Sequence, residues 1–346
     1  MFEDEEEKEE LKPHLVNTIE PIVIGPFRFI KPYLYTFHCS AKARWIGKPL
    51  IDVFEHEFKH WSHSTLVERI QSGYITVNKH HITIDYIIQN RDFIEHTILR
   101  RESPIYNLPI EKLGETADYV AYHKPSSLPV YSTGGYYYNS LINMVDPQYH
   151  PVHRLDKVTS GIVVFAKSET SARHFGQMLL SKKIHKTYIA RVIGSFPAGE
   201  TKVYAPIRES SVNRSLRECG EGGKESLTLF KLISTNGSES IVECHPITGR
   251  THQIRVHLSY LGYPISNDVK YGGKEPVLSS DEKKALEEAK KRGLWPPDTT
   301  FEDENPAVSF GIYLHSCHYQ SDEFDFKAPL PKWTELPEKK SKCKIQ

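Results

Sequence analysis

His150-Pro151-Val152-His153-Arg154-Leu155-Asp156-Lys157-Val158-Thr159-Ser160-Gly161-Ile162-Val163-Val164-Phe165-Ala166-Lys167-Ser168 sets two grammars side by side. Residues 153–161 are polar and turn-like and end in Ser160-Gly161. Residues 162–166 are an apolar, β-branched run that reads as a strand buried on both faces. The spacing therefore predicts a loop that delivers a carboxylate, Asp156, to the start of a buried strand. Arg154 stands two residues before it, and Thr159-Ser160 follow closely. Loops held by rigid strands are where catalytic groups tend to sit. Two readings remain open on spacing alone: Asp156 caps a turn and pairs with Arg154, or it does chemistry.

Around this stretch the chain has 346 residues, enough for one large domain or two unequal ones. No apolar run approaches the roughly 18–20 residues that span a bilayer. The five cysteines are scattered and lack a C-x-x-C spacing. That argues against a disulfide framework or a cysteine zinc site, and for a reducing compartment. The net charge of zero hides an asymmetry. Residues 1–10 hold seven acids and one lysine, and residues 274–305 hold nine acids and six bases. What remains is basic, as suits a polyanionic partner or simply a solvated surface. The acidic start opposes an Arg-rich mitochondrial presequence and has no apolar signal core. A cytoplasmic location is the expectation, with nucleus and mitochondrion left open.

Working outward, residues 1–25 are expected to be a disordered acidic start. Residues 26–62 are rich in aromatics and bases, which either fill a core or stack on nucleobases. Leu50–Phe54 opens an amphipathic helix, Ser64 is placed to cap a second, and Gly73 sits where a left-handed terminator belongs. Strands are expected at 74–78 and 81–86, with a turn at Asn78-Lys79. Further strands are expected at 119–125, 186–192, 227–233 and 240–245, and a helix from Ser168 to about 182. Gly134–Asn139 reads as a tyrosine-rich loop and 208–224 as a basic loop. Ile254, Leu258 and Leu261 form a helical stripe closed by Gly262. Residues 274–309 read as an insertion with a capped, charged helix from Ser279 to Arg292 on a solvated surface. Residues 336–346 read as a basic tail. His245, His252 and His257 are spaced seven and five apart, on no single helix face, and this argues against a metal site. No glycine-rich phosphate loop or other cofactor fingerprint is present.

His153-Arg154-Leu155-Asp156-x-x-Thr159-Ser160-Gly161 resembles the signature of the RluA-type pseudouridine synthases. So do Lys186-x-Tyr188-x-Ala190, and Thr248-Gly249-Arg250-Thr251-His252-Gln253-Ile254-Arg255-x-His257-Leu258 with its continuation to Gly272. Lys124-Pro125-Ser126-Ser127-Leu128-Pro129-Val130 is similar to the family's Lys-Pro-x-Gly-x-x-Val but has Ser127 where glycine is usual. Ile70-x-x-Gly73-x-Ile75-x-Val77-Asn78 resembles the small alpha-L RNA-binding module. The likeness runs from about Arg44 to about Lys332.

The resemblance implies an α+β fold: a mixed, mostly antiparallel sheet split by a central cleft with flanking helices, preceded by the alpha-L module. Its expected extents are 26–105 for the extension with the module and 106–335 for the catalytic domain. It implies isomerisation of uridine to pseudouridine in structured RNA, a tRNA anticodon arm being favoured over rRNA. No cofactor, metal, membrane or obligate protein partner is expected. Asp156 is implied as the catalytic carboxylate, as nucleophile or base. Arg250 is the implied cation beside it, Tyr188 stacks on the target base, and Arg154 fills the space the base leaves. Arg69, Lys79, Arg100, Arg101 and Lys186 are candidate RNA contacts, which would hold phosphates and carry little sequence information. Two rival readings are an RNA-binding protein whose chemistry is dispensable and a metal hydrolase using the histidines.

Overall fold

A computed structural model describes residues 19–58, 61–294 and 310–337. Of the start expected to be disordered over residues 1–25, residues 1–18 lie outside the described residues, as do the tail from 338 and much of the acidic loop near 300, whereas Ile22–Ile24 form a strand. The chain divides into two units. The smaller is residues 31–102, and the larger gathers what precedes and follows it.

The larger unit opens with the hairpin β1 (Ile22–Ile24) and β2 (Phe27–Phe29). The domain boundary expected at residue 26 therefore falls inside a hairpin, because Phe27 and Phe29 are fully buried in this unit.

The smaller unit comprises β3 (Tyr33–Ser40), α1 (Leu50–Glu57), α2 (His63–Gln71), β4 (Ile75–Val77), β5 (His80–His81) and β6 (Phe93–Arg100). Its four strands run in the order β3-β6-β4-β5. Leu50, Phe54, Leu66, Ile70, Ile75 and Ile94 form its core, so most of the helical aromatics and aliphatics are packing groups. Ser62, not Ser64, caps α2, accepting the Thr65 N–H at 3.2 Å. Asn78 and Lys79 turn the β4–β5 hairpin with φ of 51° and 65°. The strand expected at 81–86 ends at His81. Beyond it the backbone pairs with the segment before α1, Leu50 N–H to Tyr86 and Ile88 N–H to Lys48, and the sheet loses those partners.

The larger unit resumes with β7 (Ile105–Tyr106), β8 (Glu111–Glu115), β9 (Tyr119–Lys124), β10 (His150–Pro151), β11 (Ser160–Ala166), α3 (Glu169–Leu180) and β12 (His185–Ile193). After these come β13 (Glu200–Tyr204), β14 (Ile207–Glu209), β15 (Arg217–Cys219), β16 (Leu227–Thr235), β17 (Glu239–Pro246) and α4 (Gln253–Tyr260). It ends with α5 (Ser280–Lys291), β18 (Leu314–Gln320) and β19 (Asp325–Lys327). The main sheet has the order β13-β16-β17-β12-β18-β11-β9-β8, with β10 on β11 and β19 on β18. Among its described pairings only β11 with β18 is parallel. The architecture is the α+β, mostly antiparallel arrangement expected.

Ile162 to Ala166 are wholly buried, as their apolar run requires of a central strand. Gly161 marks where β18 crosses closest. Its φ is 116°, and a Cβ there would lie 2.2 Å from the Ser316 carbonyl oxygen and 2.5 Å from the Ser316 nitrogen. Only glycine can take both the backbone geometry and the approach.

Two further expectations change. Residues 208–224 contain a hairpin, β14 with β15, laced by Arg208–Glu218 and Arg217–Glu209. Its strands are three residues long and polar, too short for a periodic signal. The helix in the insertion is not simply solvated. Ala285, Leu286 and Ala289 of α5 pack on Phe27, Phe29 and Phe310. Ser279 caps it, as the sequence predicts, and the structure shows a full capping box with Glu282.

Candidate active site

Asp156 sits in the loop between β10 and β11. The Thr159 N–H donates to the Asp156 carbonyl at 3.1 Å, and Leu155 is buried beneath, so the backbone is closed and the side chain turns out. The carboxylate lines a cleft of about 580 Å³, together with Arg154, Lys186, Tyr188 and Arg250. Five of the nine candidates thus converge on one site.

The cation at Asp156 is not Arg250. It is Arg255, whose Nη1 donates to Asp156 Oδ2 at 3.1 Å. Arg255 is itself fixed by Asp268, Nε to Oδ2 at 2.6 Å and Nη2 to Oδ1 at 2.8 Å, and lies 4.8 Å over the Tyr271 ring. This planar fork offers one edge to a buried carboxylate and its remaining nitrogen to Asp156. Burial works against the Arg255 charge, but the Asp268 hydrogen bonds and the nearby carboxylates outweigh it and raise its pKa. Arg250 instead points Nε to the Glu225 carbonyl at 3.0 Å and stays exposed at the rim. Both arginines are in one sequence motif. The helical stripe that buries Ile254 and Leu258 also buries Arg255, and an arginine inside such a stripe is the signal that picks it out.

Lys124, also missed, is wholly buried at the end of β9. Its ammonium donates to the carbonyls of Pro125 (2.9 Å), Leu128 (2.7 Å) and Lys157 (3.2 Å). It ties the loop after β9 to the residue following Asp156. Burial pulls its pKa down to about 7, with the charge of Asp156 opposing. Ser127, in the same loop, has φ of 71°, so the position does ask for glycine's freedom. Its hydroxyl accepts the Tyr106 N–H at 2.8 Å, and that hydrogen bond offsets a cost of about 1 kcal/mol.

Tyr188 stands on β12 with its hydroxyl 3.2 Å from that of Tyr319, which is 3.4 Å from His153 Nδ1. The Val164 N–H donates to His153 Nε2 at 3.0 Å, so the His153 proton sits on Nδ1 and faces Tyr319. Burial raises the pKa of both tyrosines. Both therefore stay protonated in the free protein. Arg154 is exposed at the cleft, and Lys186 lies half-buried in its wall, its pKa lowered by burial.

The remaining candidates belong to the smaller unit. Lys79 and Arg101 are exposed. Arg69 lies 4.2 Å over the Trp61 ring with Nη1 on the Thr97 carbonyl, and Arg100 lies 4.5 Å over Tyr35 with little exposure. These two guanidiniums are built into the packing of that unit. The three histidines weighed as metal ligands have separate partners: His245 bonds Glu243, His257 bonds Thr228 and the Ala205 carbonyl, and His252 bonds Tyr271. Among the described residues no group of three acids, histidines or cysteines is placed to hold a metal.

A profile described as RNA pseudouridylate synthase matches residues 118–260, the segment holding Asp156, Tyr188, Arg250 and Arg255. The chain is 36% identical over 283 residues to the mitochondrial tRNA pseudouridine(32) synthase of Saccharomyces cerevisiae, covering 80% of this chain and 60% of that protein. It is 38% identical over 256 residues to RNA pseudouridine synthase 7 of Oryza sativa, covering 70% and 65%. It is 31% identical over 345 residues to RNA pseudouridine synthase 7 of Arabidopsis thaliana, covering 90% and 87%. The chain thus spans less than two thirds of the first two relatives and most of the third.

Proposed function

From the premise that this chain belongs to the RNA pseudouridylate synthase family, we propose that it isomerises a uridine to pseudouridine within a structured RNA, with tRNA favoured over rRNA. The observation that carries the reading is the carboxylate of Asp156, set in a cleft and held through Oδ2 by a guanidinium that Asp268 already clamps.

In the reaction the N1–C1′ bond of the nucleotide breaks, the uracil turns, and C5 bonds to C1′. The proton on C5 is lost and N1 regains one, so no oxidant, reductant or cofactor is consumed. Asp156 acts ionised, as nucleophile at C1′ or as the base that draws off a sugar proton. Arg255 holds it oriented as charge develops. Tyr188, in the cleft wall beside it, stacks on the base and takes part in the later loss of the C5 proton. The base must leave its stack to reach Asp156, which costs a few kcal/mol and favours a loop. Arg154, at the exposed rim, fills the space the base vacates, while Lys186 and Arg250 meet phosphates. Lys79 and Arg101 are the exposed candidates for RNA contact in the smaller unit. Three of the relatives compared carry RNA or tRNA in their names, which supports the substrate class. A cytoplasmic site of action remains part of the proposal, and the mitochondrial name of the yeast relative makes fractionation its test.

The deciding experiment uses tRNA carrying tritium at C5 of uridine. Wild type should release tritium to water and Asp156→Ala should release none. A folded wild type that binds tRNA and rRNA yet releases tritium from neither would leave an RNA-binding protein.

A further inference from the structure

His252 is a strained residue of the cleft. It precedes α4 in the left-handed region, φ 58° and ψ 18°, a conformation that side chains with a Cβ rarely adopt. Strain of this kind persists only where surrounding contacts over-determine it. Here they do. The backbone N–H of Arg217 donates to the Tyr271 hydroxyl oxygen at 3.0 Å, and that hydroxyl lies 2.7 Å from His252 Nδ1. Tyr271 is nearly buried, its ring under Arg255, and His252 Nδ1 is the acceptor within reach of its proton. The Tyr271 O–H therefore donates to Nδ1. The His252 proton then resides on Nε2, which lies 3.8 Å from Asp156 Oδ2. Burial lowers the His252 pKa although Asp156 opposes it, so the ring is neutral and its tautomer matters.

We propose that His252 is a positioning residue: its Nε2–H, held by Tyr271, joins Arg255 on Oδ2 of Asp156 and leaves Oδ1 as the oxygen presented to the substrate. This rests on the reading of Asp156 as the reacting carboxylate. The separation of 3.8 Å is long for a hydrogen bond in the free protein and closes when RNA fills the cleft, as catalytic contacts often do. Oδ1 has no partner among the described residues, so the two oxygens are distinguished before substrate arrives.

The test measures kcat and KM for tritium release from C5-labelled tRNA. His252→Asn suits the left-handed backbone and retains a polar atom at the Nδ1 position, but it lacks Nε2. It should lower kcat by about tenfold or more with KM within about twofold. His252→Gln places an N–H near the lost Nε2 and should recover most of that loss. Tyr271→Phe should lower kcat in the wild-type background and add nothing in His252→Asn, since both act through one proton. Wild-type kcat in His252→Asn, equal losses in Asn and Gln variants of unchanged melting temperature, or additive losses with Tyr271→Phe would each overturn the proposal. Absence of release by wild type would instead remove the enzymatic reading beneath it.

Discussion

At the scale of single residues, the two arginines of the 248–258 motif have separable duties. Arg255 is 4% exposed and bridges two carboxylates, whereas Arg250 stands at the rim with one backbone contact from its side chain. Lysine at 255 keeps the charge but cannot reach Asp268 with two parallel bonds and Asp156 with a third. Arg255→Lys should lower kcat for tritium release by about a hundredfold with little change in KM. Arg250→Lys should act mainly on KM, and because lysine keeps the charge the salt dependence of KM should stay close to that of wild type. Equal kcat losses for both variants would return the orienting role to Arg250. The same scale explains Ser127. Its left-handed backbone costs about what its hydroxyl regains by accepting the Tyr106 N–H, so serine is tolerated where the resemblance expects glycine.

At the scale of elements, the site depends on how β11 leaves the Asp156 loop. Two strands run parallel there for two residue pairs, Ser160 with His315 and Gly161 with Ser316. The crossing lies directly after the Asp156 loop, so any displacement of β18 is felt at Asp156. Gly161→Ala would force a methyl into the Ser316 backbone at 2.2–2.8 Å and impose φ of 116° on a residue with a Cβ. The expected cost is roughly 3 kcal/mol or more, read as a fall in melting temperature together with lost tritium release. A variant with wild-type melting behaviour would mean that β11 and β18 can separate freely. Elsewhere α5 shows what a charged helix conceals. Three small or apolar residues suffice to seat it on Phe27 and Phe29.

At the scale of the whole molecule, buried neutral histidines set the acid limit. His315 is fully buried and bonded to Ser160, and burial holds its pKa near 3, with His123 adding to the effect. Burial holds His153 near 3 as well, with Lys186 contributing. Protonating His153 would also turn its Nε2 against the Val164 N–H. Unfolded histidines titrate near 6.5, so between about 6.5 and 3 the unfolded chain binds more protons than the folded one. Stability contributed by these residues is intact above that window and falls as pH drops through it, by roughly 2 kcal/mol for His315 at pH 5. Melting temperature followed from pH 7 to pH 4 should decline, and His315→Asn should flatten part of the decline. A melting temperature indifferent to acid over that range would show that these rings take up protons without unfolding.

The sequence by itself determined the buried strand at 162–166, the helix starts at Ser168 and Ser279, the turn at Asn78-Lys79, and the family. These are local: a run of apolar residues, a capping pair or a long motif is complete within a few positions. It also brought Asp156, Tyr188, Arg154, Lys186 and Arg250 forward as candidates, and all five line one cleft. Only the tertiary structure decided which guanidinium meets Asp156. Arg250 and Arg255 are five residues apart, and their order along the chain says nothing about which one α4 turns inward against Asp268. The same holds for Lys124, whose acceptors come from two loops, and for His252, whose proton is assigned by Tyr271 and the backbone of Arg217. Polar partners distant in sequence are joined by packing, and packing is a property of the folded chain rather than of any stretch within it.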